Sequence, residues 1–96
     1  MRFKDTTVIV TGAAHGIGAA TAQRFASEGA NVVCVDIHDR AAEVVQAINA
    51  VGTGSAVFSR ADISKSTDVE ATLALTLKHY GSLNVLVNNA AITLPK

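Results

Sequence analysis

The run Val8-Ile9-Val10-Thr11-Gly12-Ala13-Ala14-His15-Gly16-Ile17-Gly18 constrains the fold more than any other part of the 96-residue chain. A β-branched run, suited to a strand buried on both faces, passes into a glycine-rich bend and then directly into a helical pattern. Gly12, Gly16 and Gly18 are spaced G-x3-G-x-G, which differs from the commoner dinucleotide spacing G-x-G-x-x-G. The physical demands are similar. The chain must leave the strand sharply, which favours a residue free to take positive φ. The backbone must approach a ligand closely, and the next helix must pack near the strand with no Cβ in the way. The first turn of that helix has unpaired N–H groups and the positive end of the dipole, a site for a pyrophosphate. Three glycines also fit an ordinary strand-to-helix loop, so the rest of the chain decides.

The pattern that follows is regular. Strands are expected over 6–11, 31–36, 55–60 and 83–88, and helices over 15–28, 39–51 and from an N-cap at Ser64 to about Tyr80. Gly29, Gly52 and Gly81 stand where left-handed helix ends are wanted. The expected core stripes are Ile17, Thr21 and Phe25 in the first helix, Ala41, Val44, Val45, Ile48 and Val51 in the second, and Val69, Leu73, Thr76 and Tyr80 in the third. The weaker third strand belongs at an edge. The order βαβαβαβ, with right-handed crossovers, gives an α/β fold: a Rossmann-like parallel sheet of strand order 3-2-1-4, ending after the fourth strand. Strand order reverses between strands 1 and 4, so a ligand crevice should open at their carboxyl ends, beside Gly12 and Asn88-Asn89.

Composition narrows the function classes. Residues 1–96 make one small globular domain, 49% apolar, with eight basic and eight acidic residues. No basic cluster is present to neutralise phosphates, so neither nucleic acid nor a membrane surface is an expected partner. The single Cys34 cannot form an internal disulfide, and no leader-like or membrane-length run occurs, so a cytoplasmic setting is expected. His15, His38 and His79 lack metal-ligand spacing, and Cys34 reads as a buried, inert thiol.

Asp36 ends the second strand 18 residues after Gly18, near the offset at which an acid accepts hydrogen bonds from an adenosine ribose. A carboxylate there also repels a 2′-phosphate and favours NAD, whereas His15 and Arg40 are basic groups that keep NADP open. These residues carry a resemblance. Thr11-Gly12-Ala13-Ala14-His15-Gly16-Ile17-Gly18 resembles the T-G-x-x-x-G-x-G loop of the short-chain dehydrogenase/reductase family. Leu86-Val87-Asn88-Asn89-Ala90-Ala91 is similar to its L-V-N-N-A-G strand end, and Asp62-Ile63 to its acidic-aliphatic pair after the third strand. The resemblance runs over the whole chain. It implies that Gly12, Gly16, Ile17 and Gly18 line a pyrophosphate and that Asp36 holds the adenosine ribose. It further implies that Asp62 and Ile63 hold the adenine edge and that Asn89 and Ala90 contact the cofactor near the ribose. Two positions depart from the family pattern: Ala91 stands for the usual Gly, and Asn84 for the common Asp.

The family's Tyr-x-x-x-Lys pair, in which Tyr is the acid/base and Lys lowers its pKa, has no match. The sole tyrosine is Tyr80, four residues before Asn84, and its place on a helical apolar face suits core packing. The leading expectation is therefore the cofactor-binding part of a short-chain oxidoreductase, a fragment whose parent transfers hydride between NAD(P) and an alcohol or carbonyl. This chain alone would be inactive. The alternatives are a stand-alone NAD-binding module and a non-enzymatic interaction domain. An uncovered fourth-strand edge would favour self-association and marginal stability as a monomer.

Overall fold

Strands and helices alternate without exception along residues 2–89, the part of the chain that the computed structural model describes. They are β1 (Thr7–Thr11), α1 (Gly16–Ser27), β2 (Asn31–Asp36), α2 (Ala41–Val51), β3 (Ser55–Arg60), α3 (Ser66–Tyr80) and β4 (Val85–Val87). Every ladder is parallel and the sheet order is β3-β2-β1-β4, the expected topology. β3 lies at one edge, as its weaker pattern predicts.

Alternation of strand side chains divides the core into two layers. Val8, Val10, Val32 and Cys34 point to one face and pack with Ala22 and Ala26 of α1 and Val44 and Ile48 of α2. Ile9, Val33 and Val35 point to the other, where Ala61 joins them and Leu75 and Tyr80 of α3 pack against the cluster. Burial on both faces is why β1 and β2 read as continuous valine-rich runs.

The helix faces differ from expectation in an instructive way. In α1 the buried residues are Gly18, Ala22 and Ala26, while Ile17 is 76% exposed. The helix lies too close to the sheet for large side chains. Ile17 is displaced to its flank, while Phe25 packs against the core from the side, and both line a groove with Phe3, whose ring centroid is 5.1 Å from that of Phe25. In α3 the buried positions are Thr72 and Thr76, with Val69 and Leu73 partly in solvent. Their hydroxyls are satisfied inside: Thr72 Oγ1 pairs with Ser59 Oγ at 2.8 Å, and Thr76 Oγ1 donates to the Thr72 carbonyl at 2.8 Å. Val51, next to the left-handed Gly52, also faces solvent.

Element ends shift for polar reasons. Lys65, not Ser64, occupies the N-cap position of α3, because the Ser64 N–H and hydroxyl both donate to Asp62 Oδ1. β4 is shorter than expected because Asn84 turns its own amide to the sheet. Its N–H donates to the Thr7 carbonyl at 2.9 Å, and its Oδ1 accepts the Thr7 N–H at 2.8 Å. At the opposite edge the Asn49 side chain pairs with both the N–H and the carbonyl of Ala56, occupying part of the β3 edge as an added strand would.

Cys34 is fully buried in β2, and desolvation pushes its thiol up from 9.0 to about 12. The folded chain therefore keeps a proton that the unfolded chain gives up first. Stability is full below about pH 9 and falls toward pH 12, by on the order of 4 kcal/mol across the shift. Urea midpoints at mildly and strongly alkaline pH will show this slope, and Cys34→Ala will flatten most of it. Burial also raises the Tyr80 hydroxyl, which leaves a remnant of the same sign.

Candidate functional site

The site is built where β1, β2 and β4 end. Gly12 leaves β1 with φ +67°, Gly16 opens α1 with φ +65°, and His15 between them is extended. Only glycine takes the first two conformations without strain. Gly18 answers a different need. A Cβ built there would run into the Gly12 carbonyl and come within 2.7 Å of the Asn89 side-chain amide. The missing side chain lets the first turn of α1 rest directly against the end of β1 and the residue just past β4.

Hydrogen bonds hold this junction. Thr11 Oγ1 lies 3.1 Å from Asn88 Oδ1 and 3.4 Å from the Val87 carbonyl, tying the ends of β1 and β4 together. The Ala13 N–H donates to the Val35 carbonyl at 3.1 Å. Asp36, at the end of β2, accepts the Ala14 N–H on Oδ2 at 3.0 Å and the His38 N–H on Oδ1 at 2.9 Å. α1 begins with no side-chain cap and no acid in its first turn, whereas α2 has Glu43 and α3 has Asp68 there. Its unpaired first-turn N–H groups and positive dipole end are left to meet an anion.

Beside the loop is a cleft of about 190 Å³ lined by Gly12, Val35, Asp36, Ile37, Ala61, Asp62 and Ile63. Four predicted site residues, Gly12, Asp36, Asp62 and Ile63, thus meet in one place. Ser64 donates two hydrogen bonds to Asp62 and holds its carboxyl below the usual carboxylate range, so it stays ionised. His15 lies just outside, with His38, Asp39 and Arg40 around a second, more open cleft, and its ring centroid is 6.0 Å from that of His38. Ile17 is not in the first cleft; it stands exposed at the start of α1. Asn89 sits against Gly18, and Ala90 and Ala91 lie outside the described residues.

Sequence reasoning gave no role to Thr11 or Ala14. A hydroxyl one residue before the first glycine was the signal for Thr11. The use of Ala14 is a backbone N–H, which no residue type advertises. Tyr80 lies at the other end of the sheet, its hydroxyl 2.9 Å from Ser55 Oγ at the start of β3. Among the described residues no group of His, Cys, Asp or Glu could hold a metal, and no helix is long and apolar enough to cross a membrane.

A parallel sheet reversing between β1 and β4, with a glycine turn into a helix and an acid ending the second strand, defines a Rossmann-type dinucleotide-binding fold. The short chain dehydrogenase family model matches residues 6–96, and the chain belongs to that family. It is 45% identical over 86 residues to 2,5-dichloro-2,5-cyclohexadiene-1,4-diol dehydrogenase of Sphingobium indicum, covering 90% of this chain and 33% of that one. The crystal structure of hydroxysteroid dehydrogenase from Escherichia coli superposes with TM-score 0.92 at 38% identity, over 99% of this chain and 40% of that one. A metagenomic short-chain oxidoreductase in complex with NADP superposes with TM-score 0.88 at 35% identity, over 96% of this chain and 42% of that one. The chain thus spans between a third and about two fifths of the length of these relatives.

The two glycine requirements separate by mutation. Gly16→Ala meets no atom within 4 Å and should cost about 1 kcal/mol, the strain of a left-handed residue. Gly18→Ala must move the β1 backbone and should cost about 3 kcal/mol. Urea unfolding of both variants measures the difference, and equal costs would mean that α1 does not lie this close to Gly12.

Proposed function

We propose that this chain is the cofactor-binding portion of an oxidoreductase that moves hydride between NAD(P) and an alcohol or carbonyl substrate. The observation that carries the reading is the Gly18 cradle: a helix start brought against a strand end, with an ionised acid in the adjoining cleft. Gly12, His15, Gly16, Ile17 and Gly18 would surround the pyrophosphate. Asp36 would take the adenosine ribose, Asp62 and Ile63 the adenine edge, and Asn89 with Ala90 the cofactor near its ribose. Bound NAD(P) supplies the hydride chemistry, and this chain's residues bind and orient it.

NAD is the favoured cofactor because the Asp36 carboxylate faces the ribose position. NADP stays the second option, since His15, His38 and Arg40 adjoin that position and one structural neighbour was solved with NADP. The sequence holds no Tyr-x-x-x-Lys pair, so the reading includes catalytic incompleteness of these residues alone. A cytoplasmic setting is supported by the unpaired, buried Cys34. Calorimetric titration tests the core of the proposal: NADH should bind saturably and about tenfold more tightly than NADPH, with no turnover of alcohols. A folded chain that binds neither dinucleotide would sink it, and turnover would sink the incompleteness.

One observation favours self-association besides. β4 has β1 as its only neighbour among the described strands, and its Leu86 is 61% exposed. Sedimentation should then show a concentration-dependent dimer that Leu86→Lys weakens; a monomer at all concentrations removes this part.

A further inference from the structure

The Asp36 carboxylate has a second task besides the one assigned to it above. Both of its oxygens already accept backbone hydrogen bonds, Oδ2 from Ala14 inside the glycine loop and Oδ1 from His38 in the segment after β2. Ala14 is 2% exposed, so its N–H has little access to water if that partner is lost. The loop around it turns twice through left-handed glycines, Gly12 and Gly16, residues with the most conformational freedom to lose on ordering. The backbone bond from Ala13 to Val35 is the neighbouring anchor between the same two strand ends. Asp36 extends that anchor by one residue.

We infer that Asp36 is a positioning residue that braces the glycine loop in its binding conformation, so that it governs affinity for any dinucleotide and not only the choice between NAD and NADP. The two tasks are compatible. An ionised carboxylate has about four lone-pair sites, and the brace uses one on each oxygen, leaving one on each for ribose hydroxyls.

This inference rests on the dinucleotide reading for its affinity readout but not for its structural one. Amide hydrogen exchange by NMR, without ligand, compares the chain with Asp36→Ala, which removes both acceptor oxygens. The Ala14 amide should exchange about fivefold faster or more in the variant, while amides in α2 and β3 keep their rates and show that the fold is intact. Calorimetry then compares NADH and NADPH on Asp36→Ala and Asp36→Asn. A brace predicts that NADH weakens by about fivefold or more, and that NADPH fails to gain the full factor of about tenfold that relief of the 2′-phosphate repulsion alone would give. A carboxylate that only selects between cofactors predicts weaker NADH and stronger NADPH. Unchanged exchange at Ala14, or NADPH binding that tightens on Asp36→Ala by the full NADH preference of about tenfold, overturns the inference. If the unsubstituted chain binds neither dinucleotide the proposed function fails, and the exchange rate of Ala14 alone decides the brace.

Discussion

The close approach of α1 to the end of β1, made possible by the absent Cβ of Gly18, is the contact on which the rest of the site depends. It decides how near the helix lies to the sheet, and through that what α1 can bury completely: glycine and alanine, with Phe25 only partly buried against the core. It also places the helix start against Asn89, just past β4, so three separate chain segments meet within one residue's reach. A parallel sheet brings all its carboxyl ends to one rim, and the cleft beside Gly12 and Asp36 opens on that rim.

Strands and topology were legible because valine-rich runs in β1 and β2 announce burial on both faces, and glycines at 29, 52 and 81 mark the helix ends. β2 and β3 have the bounds expected of them. The expected face of α2 holds at Ala41, Val44 and Ile48, as does α3 at Thr76 and Tyr80, and the misplaced residues share one reason. A search for large apolar side chains at helical spacing picks Ile17 and Phe25, or Val69 and Leu73, when the tightest packing uses small or hydroxyl residues. Closeness is invisible in a hydrophobic pattern. The same limit applies at the cleft: residue type and spacing single out Gly12 and Asp36, and the family resemblance Asp62 and Ile63, whereas the Ala14 N–H carries no such mark.

Asn84 shows how a departure from a family pattern can leave the physics unchanged. The role at that position is an acceptor for the Thr7 N–H, and an amide oxygen fills it as a carboxylate oxygen would. Its own N–H returns a bond to the Thr7 carbonyl, so both backbone groups at the entrance of β1 are satisfied. The charge is lost and the geometry is kept.

Tyr80 makes the division between binding and chemistry concrete. An acid/base in hydride transfer must reach the reacting carbon and hold a pKa near the working pH. Tyr80 fails on both counts. Its hydroxyl bonds Ser55 at the amino end of β3, while the glycine loop and Asp36 lie at the carboxyl ends of their strands, a full sheet length away. Burial moves its pKa up, away from neutrality, and no lysine follows four residues on to bring it down. The ionised groups that do face the cleft, Asp36 and Asp62, are spent on hydrogen bonds from backbone N–H groups and Ser64. The two hydrogen bonds from Ser64 hold the Asp62 carboxyl in its charged form, which suits it to accept bonds from a donor and unsuits it to trade protons. What these residues organise is recognition.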